Sequence, residues 1–235
     1  PLNDPRVLDI VTIAYNNEKV IEQQIRLLKK NLKNPYLHTI ADNSPNPVIS
    51  EKIMQLCQQS NVSYVQLPNK CNLIKDPNYS HGMALNWIFN NYLKPRKAEY
   101  FGFLDHDIFP IRPTKIIEYL KKHYIYGLVQ TRGSRWYLWA GFCFFQRNYI
   151  ENKKINFMPS KGCDTGGGNW KSIYAKYDKK KLPLINHEYG HLREGNDPQA
   201  DLFEYIGDWI HTFNASNWKK ISNKDDLVME LLSKY

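Results

Sequence analysis

Asp105 and Asp107 are the residues best placed to do chemistry. They flank His106 between two apolar runs, residues 100–104 and 108–111. Two carboxylates at that spacing beside apolar segments are costly unless a cation meets them. Mg²⁺ and Mn²⁺ take oxygen ligands from one or two carboxylates and complete their shell with substrate phosphates. An ion held there would neutralise charge growing on a departing diphosphate. Roughly 0.7 such triplets arise by chance in a chain with this many aspartates, so the position directly after an apolar run carries the weight. A solvated strand-end loop or a helix cap is the bland alternative.

Farther along, Asp164 stands in Cys163-Asp164-Thr165, followed by Gly166, Gly167 and Gly168. A carboxylate there could take the proton of an attacking hydroxyl, with glycines that let backbone approach closely; it could equally cap a helix. His187-Glu188-Tyr189-Gly190-His191 reads literally as the HExxH of zinc peptidases. That chemistry needs a stable helix with both histidines on one face and the glutamate as base. Pro183, Gly190 and Gly195-Asn196-Asp197-Pro198 make a poor helix. His187 and His191 are therefore read as loop histidines, near an acceptor or diphosphate or simply hydrogen-bonded at the surface. Trp136, Tyr137, Trp139, Phe142, Phe144 and Phe145 offer flat rings that suit sugar faces. Their alternation fits sheet packing, leaving Trp136 and Trp139 as candidate exposed exceptions.

The elements that must position these groups alternate. Residues 7–15 are β-branched and apolar, as a strand buried on both faces should be. Asn16-Asn17 can cap a helix with Ile21, Ile25, Leu28 and Leu32 on one face, stopped by Asn34-Pro35. Then come a strand over 36–41, a turn-rich Asp42-Asn43-Ser44, a helix through Ile49, Ile53 and Leu56, and a strand over 62–67. A polar stretch at 69–80, a helix from His81 and a strand over 100–104 complete the first half. Such units imply an α/β fold with a mostly parallel sheet and right-handed crossovers, whose ligands bind beyond the strands' carboxyl ends. Residues 15–17, 42–44 and 105–107 lie at such ends and describe one crevice. The second half reads as a helix over 114–123, strands over 126–131 and 136–146, a helix around 169–177, loop from Pro183 to 205, a segment over 205–213 and a closing helix with Leu227, Val228, Leu231 and Leu232.

The chain of 235 residues suits one domain. Its net charge of +9 invites a nucleic-acid or anionic-membrane partner. The lysines, however, fall in scattered short runs such as Lys29-Lys30, Lys121-Lys122 and Lys179–Lys181, the pattern of a solvated surface. No nucleic-acid motif accompanies them, so no nucleic-acid partner is expected, while peripheral membrane association stays compatible with the charge. Four cysteines without CxxC spacing read as free thiols of a reducing compartment. With no signal peptide and no apolar run of spanning length, the expected location is cytoplasmic, including the membrane surface.

Taken in order, these segments resemble a GT-A fold, family-2-like nucleotide-sugar glycosyltransferase over roughly residues 7–217. Thr12 to Asn16 (TIAYN) is similar to the first-strand segment bordering the nucleotide base, which implies base contacts for Ala14, Tyr15 and Asn16. Asp42-Asn43-Ser44 resembles the segment whose aspartate meets the base. His81, Gly82 and Asn86 match a Gly-x-Ala-x-Asn helix start near ribose and diphosphate. Asp105-His106-Asp107 occupies the DxD place: Asp105 and His106 face the donor, and Asp105 and Asp107 hold the metal, which His211, followed by Ser216, completes. Asp164 matches the catalytic base, without the family's usual acidic pair; Ala14 replaces the usual proline, and the Asn-x-Gly form upstream of His81 is missing. The resemblance implies a Rossmann-like central sheet flanked by helices with a mixed acceptor-side half: donor-binding residues 1–112, an acceptor and catalytic half at 113–218, and a C-terminal helix at 219–235. It further implies Mn²⁺ or Mg²⁺, a nucleotide diphosphate sugar donor, a glycan or lipid-linked acceptor, and inverting transfer. A retaining transferase, the zinc peptidase and a catalytically inactive nucleotide-sugar-binding module are the other readings.

Overall fold

A computed structural model describes residues 6–73, 75–193, 201–215 and 223–235. Strand β1 (Leu8–Ala14) is buried at every position, as its apolar run requires. Helix α1 (Glu18–Asn31) starts where the Asn17 side chain accepts the Val20 N–H, and it buries Ile21, Ile25 and Leu28. β2 (Tyr36–Asp42) leads to α2 (Pro47–Ser60), capped by Asn46 and closed by Asn61 in the left-handed region, and then to β3 (Ser63–Gln66). α3 (Pro77–Ile88) begins four residues before His81, because Asp76 caps the Asn78 and Tyr79 N–H groups and Pro77 suits the first turn. A π-helical turn (Phe89–Leu93) and α4 (Lys94–Arg96) lead into β4 (Tyr100–Asp105).

β5 (Ile108–Pro110), α5 (Ile116–His123), β6 (Ile125–Arg132), β7 (Arg135–Gln146) and α6 (Arg147–Ile150) follow. Residues 167–174 form a 3-10 turn and a π-helical turn rather than the regular helix expected near 169–177. The stretch expected as loop up to residue 205 instead contributes β8 (His187–His191) and the start of β9 (Leu202–Ile206). These strands pair with each other, and a partner supplied across an intervening segment leaves little trace in local composition. β10 (Trp209–His211) and α7 (Lys224–Ser233) close the chain. No helix among the described residues is long and apolar enough to cross a membrane. All four cysteines are buried free thiols.

The main sheet has the order β3-β2-β1-β4-β7-β6. β1 to β4 run parallel, and β7 and β6 are added antiparallel. Its strands alternate cleanly: Val11, Phe101, Phe103 and Phe145 pack against α3, while Leu8, Ile10, Leu104, Phe142 and Phe144 pack on the opposite face with Leu28 of α1. A separate antiparallel sheet, β5-β10-β9-β8, buries Phe109, Phe203 and Ile210 against Val20 and Leu27 of α1 and Val228 of α7. The fold is the mostly parallel, helix-flanked sheet with a mixed second half that the sequence implied.

Some groups inside this core are ionisable. Burial lowers the pKa of His38, on β2, to about 3. Asp9 lies 2.9 Å from Arg96, and burial, partly offset by that guanidinium, raises its carboxyl to about 6. Below pH 6.5 an unfolded histidine takes up a proton that folded His38 refuses. Its contribution to stability is therefore complete above pH 6.5 and is lost as pH falls toward 3, by about 1.4 kcal/mol per unit. Asp9 works in the opposite sense between its ordinary value and pH 6, so the informative quantity is a difference between variants. Urea unfolding between pH 4.5 and 7 should show a shallower acid decline in His38→Gln than in wild type; parallel profiles would refute the assignment.

Candidate active site

Alternation along β4 puts the Asp105 side chain on the face of Phe101 and Phe103, which α3 covers. His81 of α3 meets it there, Nε2 to Oδ1 3.2 Å. Burial raises the Asp105 carboxyl, an effect opposed by His81 and reinforced by Asp107. On the neighbouring strand, a Cβ built on Gly141 would lie 2.5 Å from Asp105 Oδ2 and 2.5 Å from the Trp139 ring, so this carboxylate position exists because residue 141 has no side chain.

After Asp105 the chain turns and enters the second sheet as β5, paired with β10 so that His211 lies opposite Ile108. That register brings His211 Nε2 to 3.5 Å from Asp107 Oδ1. Asp107 Oδ2 accepts the Ala215 N–H at 3.1 Å, and its carbonyl accepts that of Thr212. Burial alone would raise the Asp107 carboxyl, but His211, His106 and the Ala215 N–H hold it well below the usual carboxylate range. His211 is raised to about 9: burial disfavours its charge, and Asp107 and Glu204 outweigh that. Its Nδ1 lies 2.7 Å from Glu204 Oε1, and Glu204 also bonds His187.

Behind the turn runs a buried polar chain. Thr12 Oγ1 donates to Gln24 Oε1 at 2.7 Å, so the Thr12 oxygen is left to accept from His38 Nε2 at 3.0 Å. Gln24 Nε2 then donates to both the Asp105 carbonyl (2.7 Å) and the Ile108 carbonyl (2.9 Å). One side chain from α1 thus ties the last residue of β4 to the first of β5. Sequence reasoning missed Gln24, although a polar residue on the apolar stripe of α1 was a readable signal.

A cavity of about 840 Å³ opens over this turn. Of the residues expected at the site, Tyr15, His81, Asp105, His106, Asp107, Asp164 and His211 line it. His106 is nearly buried; its Nδ1 accepts the Tyr15 N–H at 3.3 Å, and burial lowers its pKa. The others are placed differently. Asp42 is fully buried, its carboxylate taken by the Ser44 N–H and the Ser50 and Tyr64 hydroxyls, and Asn43 lines the cavity instead. Ala14 is buried, with its carbonyl accepting the Asn43 N–H, while Asn16, at φ 50°, bonds Ser44 and Asn46. Because α3 starts at Pro77, Gly82 and Asn86 fall within the helix. A Cβ built on Gly82 would lie 3.1 Å from Met158 backbone, and Asn86 brackets Asn156 and Phe157. Those two residues position the segment leading to Asp164 and do not line the cavity.

Asp164 Oδ1 accepts the Thr165 N–H at 2.7 Å, and the Asp164 N–H donates to the Tyr137 hydroxyl at 2.9 Å. Trp139 lines the cavity, 4.7 Å from the His211 ring, whereas Trp136 packs on Tyr174 and Tyr177. The HExxH segment is strand β8, in which residues four apart lie about 13 Å apart. His187 and His191 cannot share one zinc ion in that geometry, which removes the peptidase reading. Ser216 lies outside the described residues.

No group of three or more His, Cys, Asp or Glu side chains among the described residues is arranged to hold a metal unaided. Asp107 and His211 nevertheless fit two positions of a shell otherwise filled by phosphate and water. Their facing atoms, 3.5 Å apart, suit two ligands each about 2.1 Å from one ion, and the Nδ1 bond to Glu204 leaves Nε2 as the metal-facing nitrogen.

No family model and no curated protein sequence matches the chain. Solved structures do. A mannosyltransferase from Pyrobaculum calidifontis, in complex with GDP-Man and Mn²⁺, is matched over 69% of this chain and 51% of its own, at 14% identity and a TM-score of 0.49. TarS of S. aureus is matched over 64% of this chain and 30% of its own, at 15% identity and a TM-score of 0.42. Glucosyl-3-phosphoglycerate synthase of Mycobacterium tuberculosis, in complex with Mn²⁺, UDP and glucosyl-3-phosphoglycerate, is matched over 64% of this chain and 60% of its own, at 14% identity and a TM-score of 0.42. The likeness is partial and one of fold alone. The chain spans between 30% and 60% of the length of these solved chains.

Two substitutions test how the turn is held. Gly141→Ala should displace the Asp105 carboxylate while the fold persists, because the clashing atoms belong to side chains. Melting should fall by only about 2–4 °C, with turnover reduced on the order of 10²-fold; unchanged turnover would show that the Asp105 position is immaterial. Gln24→Leu leaves two buried carbonyls without donors, at about 1–3 kcal/mol each, measurable as a lower urea midpoint.

Proposed function

We propose that this chain is a Mn²⁺- or Mg²⁺-dependent, inverting glycosyltransferase that moves a sugar from a nucleotide diphosphate onto a hydroxyl of a glycan or lipid-linked acceptor. The observation that carries the reading is the convergence of Asp107, on the turn between the two sheets, and His211, on a strand of the second sheet, at one wall of a cavity that Asp105 and Asp164 also line. Metal chemistry of the carboxylate pair and proton chemistry of a separate carboxylate are the two requirements of glycosyl transfer from such a donor.

In this reading Asp107 and His211 hold the cation, and Asp105, steadied by His81, faces the cation and the donor. The bound ion would supply charge neutralisation for the leaving diphosphate. Tyr15, His106 and Asn43 form the wall toward the nucleotide, and Trp139 offers its ring beside the sugar. Asp164 keeps one carboxylate oxygen on the Thr165 N–H and has the other for the acceptor. As the acceptor oxygen bonds the anomeric carbon and the bond to diphosphate breaks with its electron pair, the hydroxyl proton passes to Asp164.

Asp164→Asn should lower transfer by at least about 10²-fold while UDP or GDP still raises the melting temperature as in wild type; near-normal turnover would remove Asp164 from the mechanism. Thermal-shift measurements with UDP and GDP, with and without Mn²⁺, should show synergy between metal and nucleotide in wild type. Asp107→Asn should abolish that synergy, and its persistence would refute Asp107 as a ligand.

A further inference from the structure

The HExxH segment enters no zinc site, yet His187 lines the cavity. On the second sheet, Glu204 of β9 lies directly opposite His211 of β10 and Tyr189 of β8. His187, two residues from Tyr189 on the same strand, shares that face. The Glu204 carboxylate is almost entirely buried, with one oxygen 2.7 Å from His211 Nδ1 and the other bonded to His187 Nε2. A charged side chain buried within a short strand is costly unless its partners are fixed. Here both partners are imidazoles, one buried beside Asp107 and one half-exposed at the cavity.

We propose that Glu204 is a positioning residue for the cation ligand His211, and that His187 is the outer support that fixes the Glu204 carboxylate. This rests on the metal-dependent reading above. An imidazole can ligate a cation through Nε2 only when its proton resides on Nδ1. A carboxylate accepting from Nδ1–H selects that tautomer and fixes the ring plane. Asp107 lies on the Nε2 side and Glu204 on the Nδ1 side, so the ligand nitrogen points toward the turn. The ring also packs between Trp139 and Phe213, with centroids 4.7 and 4.1 Å away, which limits rotation to the arrangement Glu204 selects. Of the HExxH segment, only His187 enters the relay; Glu188 and His191 are exposed.

The test is Mn²⁺ binding followed by electron paramagnetic resonance, with UDP or GDP present, whichever raises the wild-type melting temperature more. Glu204→Ala should weaken Mn²⁺ binding about 10–100-fold. Glu204→Gln, whose amide oxygen can still accept from Nδ1–H, should retain much of the affinity, and His187→Asn should weaken binding by less than about tenfold. In the Mg²⁺–nucleotide complex, ¹⁵N spectra should show His211, assigned by its loss in His211→Asn, as the Nδ1–H tautomer in wild type and as a tautomer mixture in Glu204→Ala. Should Glu204→Ala fail to fold, Glu204→Gln and His187→Asn carry the comparison, their integrity checked by thermal melting. Wild-type affinity in all the folded variants, or an Nε2–H tautomer in the wild-type complex, overturns the Glu204 assignment and leaves the metal-dependent reading standing. Failure of wild type itself to bind Mn²⁺ with either nucleotide overturns both.

Discussion

Two carboxylates on one turn, set side by side at the wall of a cavity, form the constraint around which the rest of this structure is arranged. Like charges so close raise each other's pKa, and burial raises both further. The protein resolves this with unlike neighbours. Asp107 meets His211 and a backbone N–H and is kept ionised, whereas at Asp105 burial outweighs the histidines around it and pushes the carboxyl toward its neutral form. Environments that separate the protonation of adjacent carboxyl groups are a mark of sites prepared for chemistry.

The turn is also where the two sheets join. β4 ends the parallel run at Asp105, and β5 starts the second sheet at Ile108, so residues 106 and 107 are a turn that belongs to neither strand. Gln24 accepts the consequence by donating to the carbonyls on both sides of the break, and Thr12 and His38 hold Gln24 in that pose. The chain from β2 to the turn is buried and made of neutral groups, a sound way to fix geometry in a core because it contains no unpaired charge. The second sheet adds a different service. Its pairing delivers His211, and with it Glu204 and His187, to a point that the main sheet could not reach.

Glycine contributes by absence. Gly141 leaves the space that the Asp105 carboxylate occupies, and Gly82 lets α3 approach the segment leading to Asp164. Asn86, expected near the donor, instead holds that same segment. A residue's place within a motif therefore need not be its place against a ligand. The helix start set by the Asp76 cap, four residues before His81, places Gly82 and Asn86 inside α3 rather than at its first turn.

The sequence by itself determined the parallel half of the fold and the position of the carboxylate turn. Periodicity of two or of 3.6, with a cap at Asn17, is written in neighbouring residues and needs no distant partner. It also placed Tyr15, His81, His106, Asp164 and His211 among the candidates that line one cavity. Tertiary structure alone decided that Asp42 faces inward, because its partners Ser50 and Tyr64 come from a different helix and strand. It likewise decided that residues 187–191 are a strand, since β8 is stabilised by β9 across an intervening stretch rather than by its own propensities. Gln24 showed only as a polar residue beside the apolar stripe of its helix, and Glu204 lay in a stretch read as loop. What each of them binds follows from strand register and helix placement, which local spacing does not encode.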